Sequence, residues 1–397
     1  MKKILLGTSA LIGALAISGV AHAGGSAAGG SGGPSASVGG FIDFQAGWAD
    51  QDNAYEAAES GLDRDYHFTN DAEIHFAVEG KSNSGIEYGA VIELNTNVDA
   101  DPEGDSGAGN ADKTYIWVKS SAGEVELGNN GAAAESMKVD AASIARATGG
   151  IDGDWQRFVD LDGTAGGSSI GAQTSAFIVR STSPSAANFG TKEDASKISY
   201  YTPRFSGVQG GVSFTPDEGD VGTAAGLSSE TGTDQENVWS LGVNYKRAYN
   251  DINIAASLTG EFGSSEVATT EDVNAWAIGA SAESRGVSVA ASYGSWGDSG
   301  LATTTTGEDS QTYWTLGAAY ATGPYGVSAT YLQSDGASGG AGSRSMELSN
   351  LSLGADYKLA PGLVPYVEVN FFDTDDNSAA TTDNDGTVVL IGTQLNF

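Results

Sequence analysis

Between residues 38 and 397 the chain repeats one pattern: segments of roughly ten residues in which apolar and polar side chains alternate. In residues 238–246, Trp239, Leu241, Val243 and Tyr245 share one face, and Ser240, Gly242, Asn244 and Lys246 share the other. Leu351, Leu353, Ala355 and Tyr357 oppose Ser352, Gly354, Asp356 and Lys358. Pro365, Val367, Val369 and Phe371 oppose Tyr366, Glu368 and Asn370 in the same way. A period of two belongs to strands, whose successive side chains point to opposite sides of a sheet.

The connections alternate in length. Short ones fall near residues 82–84, 121–122, 204–206, 247–250, 283–285, 322–324 and 360–362. Long acidic ones, rich in Gly, Ser and Thr, fall near 50–63, 97–110, 129–195, 216–236, 263–272, 297–309, 335–345 and 374–386. Short turns on one side, long loops on the other and an apolar outer face predict an all-β chain: a transmembrane antiparallel β-barrel of about 16 strands. Parity is ambiguous for residues 114–119 and 123–127. No amide can stay unpaired in hydrocarbon, so the first strand must pair with the one ending at Phe397. The inward set reads as polar and small, which predicts water inside and no packed core.

Composition narrows the function classes. After residue 23 no apolar run is long enough to cross a bilayer as a helix. A mean hydropathy of -0.19 does not oppose a membrane barrel, because only alternate residues meet lipid. The absence of Cys excludes a disulfide framework, a thiolate nucleophile and a Cys-ligated metal. Eighteen Lys+Arg against 51 Asp+Glu give a net charge of -33, which argues against nucleic acid and suits a pore that attracts cations.

The aromatic residues are predicted to form two interfacial girdles. Trp48, Trp239, Trp276, Trp296, Trp314 and Phe371 fall near the long loops. Tyr200, Tyr245, Tyr320, Tyr325, Tyr357, Tyr366 and Phe397 fall near the short turns. A soluble sandwich would instead bury its Trp in a core.

Residues 1–23 read as a signal peptide: Lys2 and Lys3, an apolar run over 4–20, then Ala21-His22-Ala23 as the cleavage site. Residues 24–37 read as a flexible Gly/Ser/Ala-rich arm, and 38–397 as the barrel. Export and barrel together predict a place in the outer membrane, among its lipid and lipopolysaccharide.

Several stretches carry a family likeness. They are Gly123-Glu124-Val125-Glu126-Leu127-Gly128-Asn129, Gly149-Gly150-Ile151-Asp152-Gly153-Asp154-Trp155, Lys197-Ile198-Ser199-Tyr200-Tyr201-Thr202-Pro203 and the run from Gly207 to Phe214. On these the chain resembles the Gram-negative general porins, and in particular their alphaproteobacterial branch. The resemblance implies a homotrimer, passive diffusion of small hydrophilic solutes, and a third long loop, here 129–195, folded into the lumen. It also implies that the terminal Phe397 serves barrel assembly.

Within that loop Asp152, Asp154, Asp160 and Asp162 cluster with apolar anchors. Placed in the lumen as the resemblance implies, they form an acidic constriction that selects cations; the alternative is a solvated external loop. The family's basic residues on the facing wall would correspond to Arg64, Lys113 and Lys119. Inward-parity wall residues also include Glu73, Glu79, Glu87, Glu93, Lys246 and Glu368.

Asp373, Asp375, Asp376, Asp383 and Asp385 either offer oxygens to Ca²⁺ or simply stay hydrated; EF-hand spacing is absent. No other cofactor is expected. After the signal only His67 and His75 remain, and they sit about 26 Å apart on one strand, too far to share a metal. No nucleophile motif accompanies them, so an enzyme is not expected. The sequence-based reading is a cation-preferring diffusion channel. Its alternatives are a solute-specific channel, or an adhesin or structural barrel with a plugged lumen.

Overall fold

The computed structural model describes residues 33–51, 65–96, 111–159, 195–219, 235–303, 311–338, 344–376 and 384–397. The proposed signal peptide, Arg64, Asp160, Asp162 and Asp383 lie outside the described residues.

The strands are β1 (Ser35–Gln51), β2 (Tyr66–Lys81), β3 (Glu87–Asn95), β4 (Ala111–Ser120), β5 (Gly123–Asn129) and β6 (Ser196–Tyr201). Next come β7 (Val208–Asp217), β8 (Gln235–Tyr249), β9 (Ile252–Ser265), β10 (Val273–Ser284) and β11 (Val287–Gly297). The last are β12 (Gln311–Thr322), β13 (Tyr325–Ser338), β14 (Arg344–Tyr357), β15 (Leu363–Asp376) and β16 (Asn384–Asn396). Each pairs with its sequence neighbours, and β16 returns to β1, closing a barrel of 16 strands.

The closing seam is antiparallel and runs from Phe41 opposite Asn396 to Gln51 opposite Gly386. Phe397 extends it, because its amide and carbonyl exchange 3.1 Å bonds with Gly40. The short turns use the chemistry that tight hairpins need. Between β10 and β11, Arg285 and Gly286 both adopt positive φ (52° and 86°), matching a two-residue turn that follows the strand twist.

The outer face carries the apolar parity. Ile198 (58% exposed), Ile278 (53%) and Leu316 (56%) point away from the lumen. In the ambiguous β4 and β5, Ile116, Val118 and Leu127 are the outward residues. Trp48, Trp239, Trp276, Trp314 and Phe371 form one exposed band, and Tyr200, Tyr320, Tyr325, Tyr357 and Phe397 the other.

Two aromatic residues depart from the expected girdles. Trp296 is 2% exposed and Tyr366 6%, and both face inward. Their parity explains it: Val287, Val289 and Tyr293 take the outer face of β11, so even-numbered Trp296 takes the inner. The Tyr366 hydroxyl donates to Asp43 Oδ1 across the wall at 2.7 Å.

The expectation of an interior without a core is also overturned. Ile151, Trp155 and Val159 of the long loop pack on inward-facing Leu332, Leu348, Phe372, Val388 and Leu390. Trp155 stacks on Phe372 with ring centroids 5.9 Å apart. The cause is the loop itself, which brings apolar surface into the lumen and needs apolar wall to bury it.

The outward assignment predicts a depth-dependent cost. Leu316→Arg, at the middle of β12, should destabilise folding into vesicles by about 2–4 kcal/mol, whereas Tyr320→Arg near the short-turn end should cost about 0–1 kcal/mol. Urea titration of vesicle-inserted protein measures both, and equal costs would contradict the assignment.

Candidate pore constriction

After β5, residues 130–159 turn inward and follow the inner wall. They contain a short helix α1 (Ala133–Met137) and 3-10 turns at Ala142–Ile144, Gly150–Asp152 and Asp154–Phe158. Of this stretch only Ala133–Met137 is α-helical. Ala132, the residue before α1, gives no side-chain cap. The wall supplies the cap instead. The amides of Ala133 and Ala134 donate to Ser213 Oγ on β7 (2.9 Å) and Ser240 Oγ on β8 (2.8 Å), satisfying two orphan donors of the first turn.

The same device continues strand by strand. Val139 N donates to Ser257 Oγ on β9 (2.8 Å), Ala141 N to Thr315 Oγ1 on β12 (3.3 Å) and Arg146 N to Ser328 Oγ on β13 (2.9 Å). Buried loop amides lack a ladder partner, so inward hydroxyls answer them. Glycine on the wall lets the backbone come close. A Cβ at Gly242 would meet Met137 Sδ at 2.8 Å, one at Gly279 would overlap the Val139 carbonyl oxygen, and one at Gly47 the Phe158 ring.

The tightest latch is Glu368 on β15, which is fully buried. Its carboxylate accepts from Thr148 N (3.1 Å), Thr148 Oγ1 (2.9 Å), Gly150 N (3.3 Å) and Asn370 Nδ2 (2.9 Å). Beyond it Gln45 of β1 donates to the Asp154 carboxylate. Arg157 then bridges Asp71 of β2 (2.9 Å) and Asp154 (3.4 Å).

The acidic candidates therefore divide. Asp152 and Asp154 both lie inside the barrel on the docked loop. Both are half-buried, and the Asp154 side chain, 16% exposed, is engaged with Gln45 and Arg157. Burial pushes the Asp154 carboxyl above its usual range, and Arg157 and Gln45 pull it back. Asp154 fixes the loop more than it meets the lumen.

The basic candidates are partnered on the wall. Lys113 contacts Glu93 (3.2 Å) and Asp112 (3.4 Å), and Lys119 contacts Glu124 (2.7 Å) at the short-turn end of β4. Asp373 and Asp385 stand opposite each other across β15 and β16, both exposed, with Asp375 two residues further along β15.

Arg157 and Glu368 were the residues hardest to single out by sequence. Arg157 lay within the acidic stretch, and only its i+3 spacing from Asp154 hinted at a partnership. Glu368 looked like an ordinary lumen acid, although Val367 and Val369 flank it.

A closed 16-strand barrel with a long loop docked inside it is a channel architecture. Residues 7–377 match the family described as Gram-negative porin. The chain belongs to the Gram-negative porin family. The barrel is accordingly an outer-membrane porin channel. Two uncharacterized Rickettsia proteins are similar to it. One, from Rickettsia typhi, is 28% identical and aligns over 90% of this chain and 92% of its own. Another, from Rickettsia felis, is 29% identical over 72% and 76% of the two chains.

Among solved structures, an anion-selective porin from Comamonas acidovorans superposes with a TM-score of 0.62 at 17% identity, over 92% of this porin and 100% of that chain. A mutant of Rh. blastica porin gives a TM-score of 0.56 at 18% identity, over 91% and 100%. At such identities the likeness shows the fold alone.

Proposed function

We propose that this porin is a homotrimeric, water-filled channel for passive diffusion of small hydrophilic solutes and ions, with a preference for cations. The observation carrying the reading is the docked loop: it brings acidic residues inside a barrel whose chain is acidic overall, at -33. Asp152, Asp160 and Asp162 supply the attracting field in this reading, with Asp154 partly compensated by Arg157. Charged groups lining a narrowing select by sign. The Comamonas porin is described as anion-selective, so a shared fold leaves selectivity to the side chains. Cleavage after Ala23 and a role for Phe397 in assembly belong to the same reading.

Planar-bilayer recording tests it. Cation-biased conductance in steps of three is expected, and a silent protein would instead favour a plugged adhesin. Neutralising Asp152, Asp154, Asp160 and Asp162 to Asn together should lower the cation-to-anion permeability ratio severalfold, since a unit charge 4 Å away is worth about 1 kcal/mol in water. An unchanged reversal potential under a salt gradient would remove this loop from the account of selectivity.

A further inference from the structure

On β2 and β3, three and four strands from the Glu368 latch around the barrel, three side chains converge. Glu73 and His75 are two apart on β2 and so share its inner face. Glu93 on β3 stands directly opposite His75 in the register. One nitrogen of His75 and one carboxylate oxygen from each of Glu73 and Glu93 lie within 4.8 Å of one another. His75 Nε2 is already 2.8 Å from Glu73 Oε2.

We propose that Glu73, His75 and Glu93 form a lumen-wall site for a divalent transition-metal ion of the zinc type. One imidazole nitrogen and two carboxylate oxygens are a three-ligand set for such an ion, with the remaining position left to water. Neighbouring ligand atoms in a tetrahedral shell stand about 3.3 Å apart, so the set closes with small side-chain rotations and no backbone movement. All three side chains are only 13–22% exposed, and the Phe41 ring packs edge-on against His75 with centroids 6.3 Å apart. Their freedom is therefore limited before any ion arrives.

Charge points the same way. Two carboxylates face one ammonium, Lys113, which sits 3.2 Å from Glu93 Oε2. With neutral imidazole the group carries a net negative charge that a dication reverses. The nitrogen ligand decides the class of ion: calcium and magnesium take oxygen ligands, whereas imidazole suits zinc, copper and nickel. Sequence spacing concealed the site because it joins His75 to a residue across a strand pair, not to His67 along one strand.

Zinc on the wall would place positive charge beside the permeation path and reduce cation current. That consequence rests on the diffusion-channel reading; the binding does not. Calorimetric zinc titration of the detergent-solubilised full-length protein tests the binding, with heat-modifiable migration on gels confirming a folded barrel in every sample. One zinc per chain is expected, with affinity lowered more than about tenfold in His75→Ala and in Glu93→Gln, and unchanged in His67→Ala and in the presence of magnesium. Equal zinc binding by wild type, His75→Ala and Glu93→Gln, or none by the folded wild type, would overturn the site. Bilayer recording separates the two readings: a metal-free protein without channel activity contradicts the diffusion channel and leaves the zinc result standing.

Discussion

Glu368→Leu should free residues 147–150 of the long loop from the wall while leaving the barrel folded. The substitution nearly preserves volume but removes the acceptor for Thr148 N, Thr148 Oγ1 and Gly150 N. Each buried donor left unpaired costs about 1–3 kcal/mol. The hydroxyl contacts on either side, Ser328 to Arg146 N and Thr330 to Ile151 N, are neutral bonds of about 1 kcal/mol each. With the Arg146–Asp356 ion pair (3.6 Å) and buried Ile151 they still tether the two ends, so the part expected to come loose is centred on residues 147–150.

The barrel survives because its ladder, from β1 through to the β16 seam, does not involve that carboxylate. Larger and noisier single-channel conductance is therefore expected, together with tryptic cleavage after Arg146 in the folded protein. Glu368→Gln keeps one accepting oxygen and should fall between. Wild-type conductance and protease resistance in Glu368→Leu would refute the latch.

The outside of this molecule was legible in its sequence because lipid imposes a rule on every second residue. Leu316, Ile278 and Ile391 obey it, and the closing partnership of the terminal strands followed from the need to pair every amide in hydrocarbon. The inside obeys no such rule. Ser213, Ser240, Ser257 and Thr315 looked like water-facing residues, yet they answer loop amides. A hydroxyl suits either task, so its presence does not distinguish them.

A better signal lay where alternation failed. Val388-Val389-Leu390-Ile391 is apolar on both faces, as is Phe371-Phe372. The inward members Val388, Leu390 and Phe372 are the ones that receive Trp155 and Ile151. Trp296 was misplaced for a related reason: proximity to a long loop outweighed its parity. The metal-ligand trio required a register across the hairpin of β2 and β3, which no single strand displays.

The second large effect is expected from Gly279→Val. Gly279 faces inward on β10, and a Cβ there would overlap the carbonyl oxygen of Val139. The obstacle is backbone, so no side-chain rotation relieves it. Nor can the wall retreat, because Gly279 is paired on both sides, with Ser257 of β9 and Ser292 of β11. The loop must move instead, and it is pinned there by Val139 N on Ser257 Oγ. Overpacking of this kind costs about 1–3 kcal/mol.

Displacement at Val139 also draws on α1, two residues upstream, and on Ala141 two residues downstream. The expected result is a rise in single-channel conductance and faster tryptic cutting after Lys138. Gly242→Ala should do less, since part of its conflict is with the flexible end of Met137. Ala280→Val, one residue along but exposed on the outer face, should change neither readout. That contrast isolates the loop: if all three variants conduct alike, the chain at Val139 does not narrow the lumen in a membrane.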